Sequence, residues 1–79
     1  MSKIVDQPVL VVCEKGNPKR FFWIKKWVTV KAVIDKWNEV GRWWEDDKEK
    51  TFYRVLAGEG GVYELYSDHK HWNLYRVFD

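Results

Sequence analysis

The sequence predicts an all-β domain: a small, curled antiparallel sheet or an SH3-like barrel of five to six strands. Two observations carry this prediction. Short runs rich in β-branched and aromatic residues alternate with turn signals at regular spacing, which is typical of sandwiches and barrels. The 79 residues include six tryptophans, four phenylalanines and four tyrosines, and such rings give a short chain the buried area that it needs. We therefore treat residues 1–79 as one domain, with residues 1–7 as a flexible N-terminal segment.

The strands are predicted from apolar runs that favour extended structure. In chain order these runs cover residues 8–13, 20–24, 27–34, 51–56, 62–66 and 72–78. The breaks between them contain glycine, proline or charged residues, which favour turns and loops: residues 16–18, Lys25 with Lys26 as a two-residue hairpin turn, and residues 45–50, 58–61 and 67–70. The second, fourth and last runs carry large apolar side chains on both faces. The sheet must therefore curl until both faces are partly covered, or one face must meet a partner.

The segment after the third run leaves two alternatives open. The alternation of that run fails at residues 32–34, which predicts a bulge that bends the strand. Val33, Trp37 and Val40 have i, i+4, i+7 spacing, which suits one or two helical turns ended by Gly41. We favour a long bent strand followed by a turn at Gly41, because the β-branched and aromatic residues here prefer extended structure.

Cysteine usage and hydropathy indicate a cytoplasmic protein. Cys13 is the single cysteine, so an internal disulfide is impossible, and a lone thiol suits a reducing compartment. It ends an apolar run and is interpreted as a small buried hydrophobe. No apolar run approaches the roughly 20 residues needed to span a bilayer, and the N-terminus has no signal-peptide pattern. We expect no membrane partner.

No residue pattern predicts catalysis, so we expect neither an enzyme nor a bound cofactor or metal. His69 and His71 follow Asp68 closely, but a tetrahedral zinc site needs four ligands, and this segment is interpreted as a polar turn. A nucleophilic pair of Cys13 with one of these histidines is allowed by composition alone. The glycines within residues 58–61 lack the lysine and the strand–loop–helix context of a phosphate loop.

What remains is an aromatic and basic signal. Six bases and no acid lie between Lys15 and Lys31, although the net charge of the chain is only +2. Rings that the core does not need are candidates for binding. We expect a non-catalytic interaction module that docks on a protein partner, or on a second copy of itself, through an aromatic surface. The predicted partner-binding residues are Trp23, Arg42, Trp43 and Trp44.

Nucleic-acid binding is the alternative function. Small β-barrels that bind single strands combine stacking rings with a basic groove. The residues predicted for this role are Lys25, Lys26, Trp27 and Arg42. Core packing is the competing interpretation for four tryptophans: Trp23, Trp27, Trp37 and Trp72. We favour burial for the last three.

Four segments of the chain resemble a known family: residues 21–30, 37–44, 62–66 and 72–79. The most specific parts are the Gly-Arg-Trp-Trp element at 41–44 and the terminal Tyr-Arg-Val-Phe-Asp at 75–79. Over residues 8–79 the chain is similar to a small bacterial domain family of unknown function. Its members occur alone or associated with Y-family-polymerase-like proteins of mutagenic DNA repair. The resemblance implies a β-rich accessory module and hints at a link to DNA transactions.

Overall fold

Seven antiparallel strands form one sheet in the computed structural model of the chain, which describes residues 2–40, 49–68 and 70–78. The strands are β1 (Ser2–Pro8), β2 (Val11–Glu14), β3 (Asn17–Trp23), β4 (Lys26–Val40), β5 (Glu49–Ala57), β6 (Val62–Ser67) and β7 (Trp72–Phe78). Their order across the sheet is β1-β7-β6-β5-β4-β3-β2. The predicted all-β class and curled antiparallel sheet are confirmed, with seven strands rather than five to six.

A two-residue link brings the two ends of the sheet together. β1 and β2 stand at opposite ends of the strand order, yet only Val9 and Leu10 connect them. The Val9 amide donates to the Trp72 carbonyl on β7 at 3.0 Å, and the Phe22 amide on β3 donates to the Leu10 carbonyl at 2.9 Å. The sheet therefore curls until its ends nearly meet. Because β1 pairs with β7 and not with β2, the barrel-like fold stays open.

β1 forms where the sequence predicts a flexible segment over residues 1–7. It pairs with β7 through a register that shifts between Ile4 and Gln7. Within this bulge Asp6 has a φ of 48°, and its carboxylate accepts a hydrogen bond from the Tyr66 hydroxyl at 2.8 Å. Burial first, and then this hydrogen bond, raises the pKa of Tyr66 above its ordinary value. The strand was missed because backbone pairing and one polar contact position it, and neither produces an apolar alternation.

β4 is the long bent strand that we favoured, and the helical alternative is wrong. Its first residues pair with β3 and its remainder pairs with β5. The register with β5 shifts between Val30 and Ala32 and again between Val33 and Asp35, next to the positions where the alternation fails. Such bulges bend a strand and increase its twist, which turns the sheet. The predicted turn at Gly41 lies outside the described residues.

The core lies on the inner face of the curled sheet. Its largest fully buried side chains are Phe21, Val55, Leu65 and Leu74. Phe21 meets the ring of Tyr63 edge to face, with 5.2 Å between the ring centroids. Around this cluster pack partly buried side chains: Val9, Val11, Trp23, Val33, Trp72 and Val77. The predicted core position of Trp72 is confirmed.

A second cluster of rings covers the outer face of β4 to β7. Phe52 is only 7% exposed, but it points away from the inner core, since the next residue along β5 belongs to that core. It stacks on Trp37 with 5.4 Å between centroids and 10° between ring planes, and it contacts Tyr66 at 5.2 Å and Tyr75 at 5.7 Å. We call Trp37, Phe52, Tyr66 and Tyr75 the outer aromatic cluster. Trp37 therefore lies in this cluster and not in the inner core predicted for it.

The last strand does not alternate as predicted. The sequence places Trp72, Leu74, Arg76 and Phe78 on one face, but the register of β6 with β7 shifts between Glu64 and Leu65. Opposite this shift Tyr75 is the extra residue of β7. Trp72, Leu74 and Val77 consequently pack on the inner core, while Tyr75 joins the outer aromatic cluster.

The β3–β4 turn lies one residue earlier than predicted. Trp23 pairs with Lys26, so Ile24 and Lys25 form the turn. Their φ angles are 48° and 62°, as a type I′ hairpin turn requires at both central positions. Asn-Gly suits this geometry, whereas a β-branched residue such as isoleucine resists it.

We expect the double substitution Ile24→Asn with Lys25→Gly to stabilise the domain by about 1 kcal/mol, because it relieves this backbone strain. Urea denaturation followed by tryptophan fluorescence measures the change. Lys15→Asn is the matched control, since Lys15 and Gly16 form the preceding turn with φ of 54° and 81°, where glycine is already present. A double variant that gains no stability would show that Ile24 makes a compensating contact.

Candidate interaction surface

Exposed apolar side chains concentrate on the outer face of β2, β3 and the start of β4. Phe21 points into the core, so Phe22 points outward. Phe22 lies opposite Trp27 on β4 and beside Leu10, whose carbonyl accepts its amide proton. The exposed fractions are 68% for Leu10, 37% for Phe22 and 45% for Trp27. We call Leu10, Phe22 and Trp27 the apolar row.

Arg20 lies in the next row of the same face and holds Trp27 in place. It pairs with Val12 on β2 and with Thr29 on β4. Its guanidinium carbon is 5.1 Å from the centroid of the Trp27 ring, and Phe22 meets that ring edge to face at 5.3 Å. Cation–π and edge-to-face contacts both favour a defined ring orientation. Trp27 is therefore oriented before any partner arrives, while nearly half of its surface remains open.

Two hollows lie at the ends of the apolar row. The larger, of about 490 Å³, is lined by Leu10 and Phe22 together with Lys70, His71 and Trp72, and it also borders the link between β1 and β2. It occupies the gap that the open sheet leaves. The smaller, of about 250 Å³, borders Trp27 at the other end and reaches the β5–β6 turn. The larger hollow thus shares Leu10 and Phe22 with the apolar row, and the smaller one shares Trp27.

One of the four predicted partner-binding residues, Trp23, lies within the described part of the chain. Trp23 packs partly buried against the inner core, while Trp27, predicted for the core, is exposed. The core prediction for Trp27 is therefore wrong, whereas the partner-binding prediction for Trp23, which is only partly buried, stays a prediction. The sequence did contain the deciding signal, because Trp27 shares its face of the strand with the polar Thr29 and not with Val28. The other predicted partner-binding residues lie outside the described residues: Arg42, Trp43 and Trp44.

The residues predicted for nucleic-acid binding lie together at the β3–β4 turn, except for Arg42, which the description does not reach. Lys25 is exposed in the turn, and the Lys26 ammonium is 3.7 Å from the Glu59 carboxylate. Glu59 also accepts a hydrogen bond from the Tyr63 hydroxyl at 2.6 Å. This hydrogen bond first, and then the Lys26 charge, lowers the pKa of Glu59. Glu59 thus stays ionised beside Lys26 and offsets part of its positive charge.

Four residues of this surface were not predicted as site residues: Leu10, Val12, Arg20 and Phe22. Leu10 and Val12 have the i, i+2 spacing of residues that share one face, and so do Arg20 and Phe22. That spacing alone cannot tell an inner face from an outer one when both carry large apolar groups. Only the pairing of β2 with β3 brings the two pairs side by side.

The remaining candidates for nucleophilic or metal chemistry are Cys13 and the segment from Asp68 to His71. Cys13 is exposed on β2, not buried as predicted, and partial desolvation raises the pKa of its thiol, which makes it a weaker nucleophile. The Asp68 carboxylate accepts hydrogen bonds from the amides of His71 (2.8 Å) and Lys70 (3.0 Å), and these lower the pKa of Asp68. Within residues 2–40, 49–68 and 70–78 there is no group of three side chains suited to hold a metal ion. His69 lies outside them.

Comparison with known families gives one match. A family model described as a domain of unknown function (DUF6504) matches residues 1–79. The chain belongs to this family. No curated protein and no solved structure matches this DUF6504 domain, and the described residues contain no helix able to cross a membrane. The family description assigns no activity, so a function for the DUF6504 domain has to be argued from its surface.

Proposed function

We propose that this domain is a non-catalytic protein-interaction module that docks through the outer face of β2, β3 and β4. The observation that carries the proposal is the exposure of Trp27, 45% open while Arg20 and Phe22 fix its ring. Tryptophan and arginine are enriched among the residues that dominate binding energy at protein interfaces. A side chain that is already oriented also loses less conformational freedom on binding.

The aliphatic members of the surface favour a protein partner. Leu10 and Val12 are exposed beside Phe22 and Trp27, and contiguous apolar patches of this kind commonly mark interaction sites. Burial of such side chains against apolar groups of a partner is favourable at about 25 cal/mol per Å². We place the module in a reducing setting such as the bacterial cytoplasm, since an exposed lone thiol like that of Cys13 persists there.

Nucleic-acid binding is the second candidate, and one observation favours it. Arg20 over the open Trp27 ring, with Lys25 exposed at the nearby turn, combines a stacking ring with positive charge. This candidate accords with the link to DNA transactions that the family resemblance implies. It ranks second because Leu10 and Val12 offer no ring on which a base can stack, and because Glu59 offsets the charge of Lys26.

Trp27→Ala is expected to abolish capture of the partner without unfolding the domain, because the ring is half open and lies outside the core. The measurement is affinity capture from the native host with the tagged domain, followed by reciprocal capture with the tagged partner. Ile34→Ala is the matched control, since Ile34 is an exposed apolar residue of the same strand beyond the first bulge. Capture by the wild type and the control, but not by Trp27→Ala, supports the proposal.

Equal capture by all three proteins would contradict the proposed surface. A labelled single-stranded oligonucleotide tests the second candidate with the same variants. Binding that needs Trp27 and weakens steeply with added salt, as release of counterions predicts, would favour nucleic acid over protein.

A further inference from the structure

We infer that the outer face of β2 to β4 receives an acidic, amphipathic segment of a partner protein. Its apolar side chains lie on the apolar row, and its carboxylates lie beside Arg20 and Lys25. This inference rests on the proposed function and names the chemistry of the partner. It depends on the spacing of the apolar row and on the charges that surround it.

The spacing of the row matches an amphipathic segment. Leu10 just before β2, Phe22 on β3 and Trp27 on β4 lie side by side, so the row spans about 10 Å at the usual strand spacing. Apolar positions at i, i+4 and i+7 of a helix span about 10 Å as well. The hollows at the two ends of the row provide space for the next apolar side chain in either direction. A segment of about two helical turns therefore meets the apolar row with the three apolar positions of one face.

The charge around the row is predominantly positive. Arg20 lies in the adjacent row, Lys25 at the turn, and Lys70 beside the larger hollow. The acid at the smaller hollow is Glu59, which Lys26 already pairs. Glu14 ends β2 on the far side of Val12 from the apolar row. Beside the larger hollow, Asp68 accepts hydrogen bonds from the Lys70 and His71 amides and offsets part of the charge there. Carboxylates of a bound segment would therefore meet positive charge chiefly from Arg20 and Lys25, which is the electrostatic complementarity that selects partners and accelerates association.

The test selects peptides from a displayed library of random sequences about 16 residues long, enough for roughly four helical turns. Selection is on the wild-type domain, with counter-selection on folded Trp27→Ala. We expect the retained peptides to be net negative and to carry aromatic or large aliphatic residues. For a retained peptide, the affinity is expected to fall about 30-fold in Trp27→Ala, about threefold in Arg20→Gln and about tenfold in Arg20→Glu.

Lys3→Glu is the matched charge reversal, since Lys3 is exposed near the start of β1, opposite Val77, whereas only the end of β1 at Pro8 borders the larger hollow, and it is expected to leave the affinity unchanged. The inference is overturned if Trp27-dependent peptides are neutral or basic, or if no retained peptide depends on Trp27. It is also overturned if Arg20→Glu weakens binding no more than Lys3→Glu. A single-stranded oligonucleotide that displaces the peptides from the wild-type domain, but does not bind Trp27→Ala, would overturn it as well.

Failure of this inference and failure of the proposed function give different results. A host protein captured through Trp27, together with a library that shows no acidic preference, leaves the interaction module standing and removes the acidic partner. Capture that does not depend on Trp27 removes the proposed surface itself.

Discussion

Replacing Phe52 with alanine is expected to destabilise the domain by about 3–5 kcal/mol, although Phe52 lies outside the inner core. Its side chain is 7% exposed, and it is the one ring in direct contact with each of Trp37, Tyr66 and Tyr75 within the outer aromatic cluster. Removing it would leave a cavity between the other three rings, which lie on β4, β6 and β7. Since domains of this size are stable by only about 5–15 kcal/mol, the loss is a large part of the total.

Phe22→Ala is the matched control for this prediction. Phe22, like Phe52, pairs with a tryptophan on β4, but it is 37% exposed, and we expect a loss of about 1 kcal/mol. Urea denaturation followed by tryptophan fluorescence measures both variants. Phe52→Leu, expected to lose about 1–2 kcal/mol, keeps the comparison measurable if Phe52→Ala does not fold. Equal losses in the two alanine variants would show that the outer aromatic cluster is not a second core.

The outer aromatic cluster also explains which part of the fold the sequence could predict. Apolar residues on both faces of a strand predicted a curled sheet, because a flat sheet with one wet face has no use for them. The two faces are indeed covered differently: Val55 and Leu65 lie in the inner core, while Phe52 and Tyr66 lie in the outer cluster. Strand positions followed from local composition, so they were predictable.

Register and edge pairing were not predictable in the same way. β1 has a largely polar sequence, and its place depends on β7 near the other end of the chain, where Phe78 pairs with Ser2 and Asn73 pairs with Pro8. Its side-chain contact is also distant in sequence, since Asp6 accepts a hydrogen bond from Tyr66 on β6. The bulge that frees Tyr75 from the inner face of β7 likewise appears only when β6 is paired with it. Such long-range pairing leaves little trace in local sequence patterns.

The candidate site shows the same limit at the level of single residues. Trp23 and Trp27 flank the same two lysines, Lys25 and Lys26, so nearby charge cannot rank them. The local signal that separates them is the strand alternation, which puts Trp27 on the face of the polar Thr29. The position of the β3–β4 turn was also hard to predict from the sequence. Ile24 takes a left-handed conformation there, which normally favours asparagine or glycine.

The Arg54→Met variant is expected to lose about 3–5 kcal/mol, because it leaves the carboxylate of Glu64 buried without its cation. The Glu64 side chain is only 5% exposed. Its Oε2 accepts hydrogen bonds from Arg54 Nε at 3.0 Å and from Nη2 at 2.8 Å. Arg76 is opposite Glu64 on β7, but its Nε has no hydrogen-bond partner within the described part of the chain. Arg54 is therefore the cation that is hydrogen-bonded to the buried Glu64 carboxylate.

Arg20→Met is the matched control. Arg20 lies over the Trp27 ring at 5.1 Å, whereas Arg54 lies over the rings of Trp37 at 5.6 Å and Phe78 at 5.4 Å. Arg54→Met therefore loses one cation–π contact more than Arg20→Met, worth about 0.5–1 kcal/mol at an exposed site. The buried acid of the described residues is Glu64, which pairs with Arg54 and not with Arg20. Beyond the one additional cation–π contact, the difference between the two variants in urea denaturation measures the cost of the unpaired Glu64 carboxylate.

A second substitution shows why Arg54→Met lowers the stability of the domain. Adding Glu64→Leu to Arg54→Met is expected to recover most of the lost stability, because a buried ion pair replaced by hydrophobic residues is often neutral. If Arg54→Met acted only through lost packing, a second change at a buried neighbour would lower stability further or leave it unchanged. Recovery therefore identifies the unpaired charge as the source of the loss. A double variant no more stable than Arg54→Met, or a single variant no worse than Arg20→Met, would contradict this account.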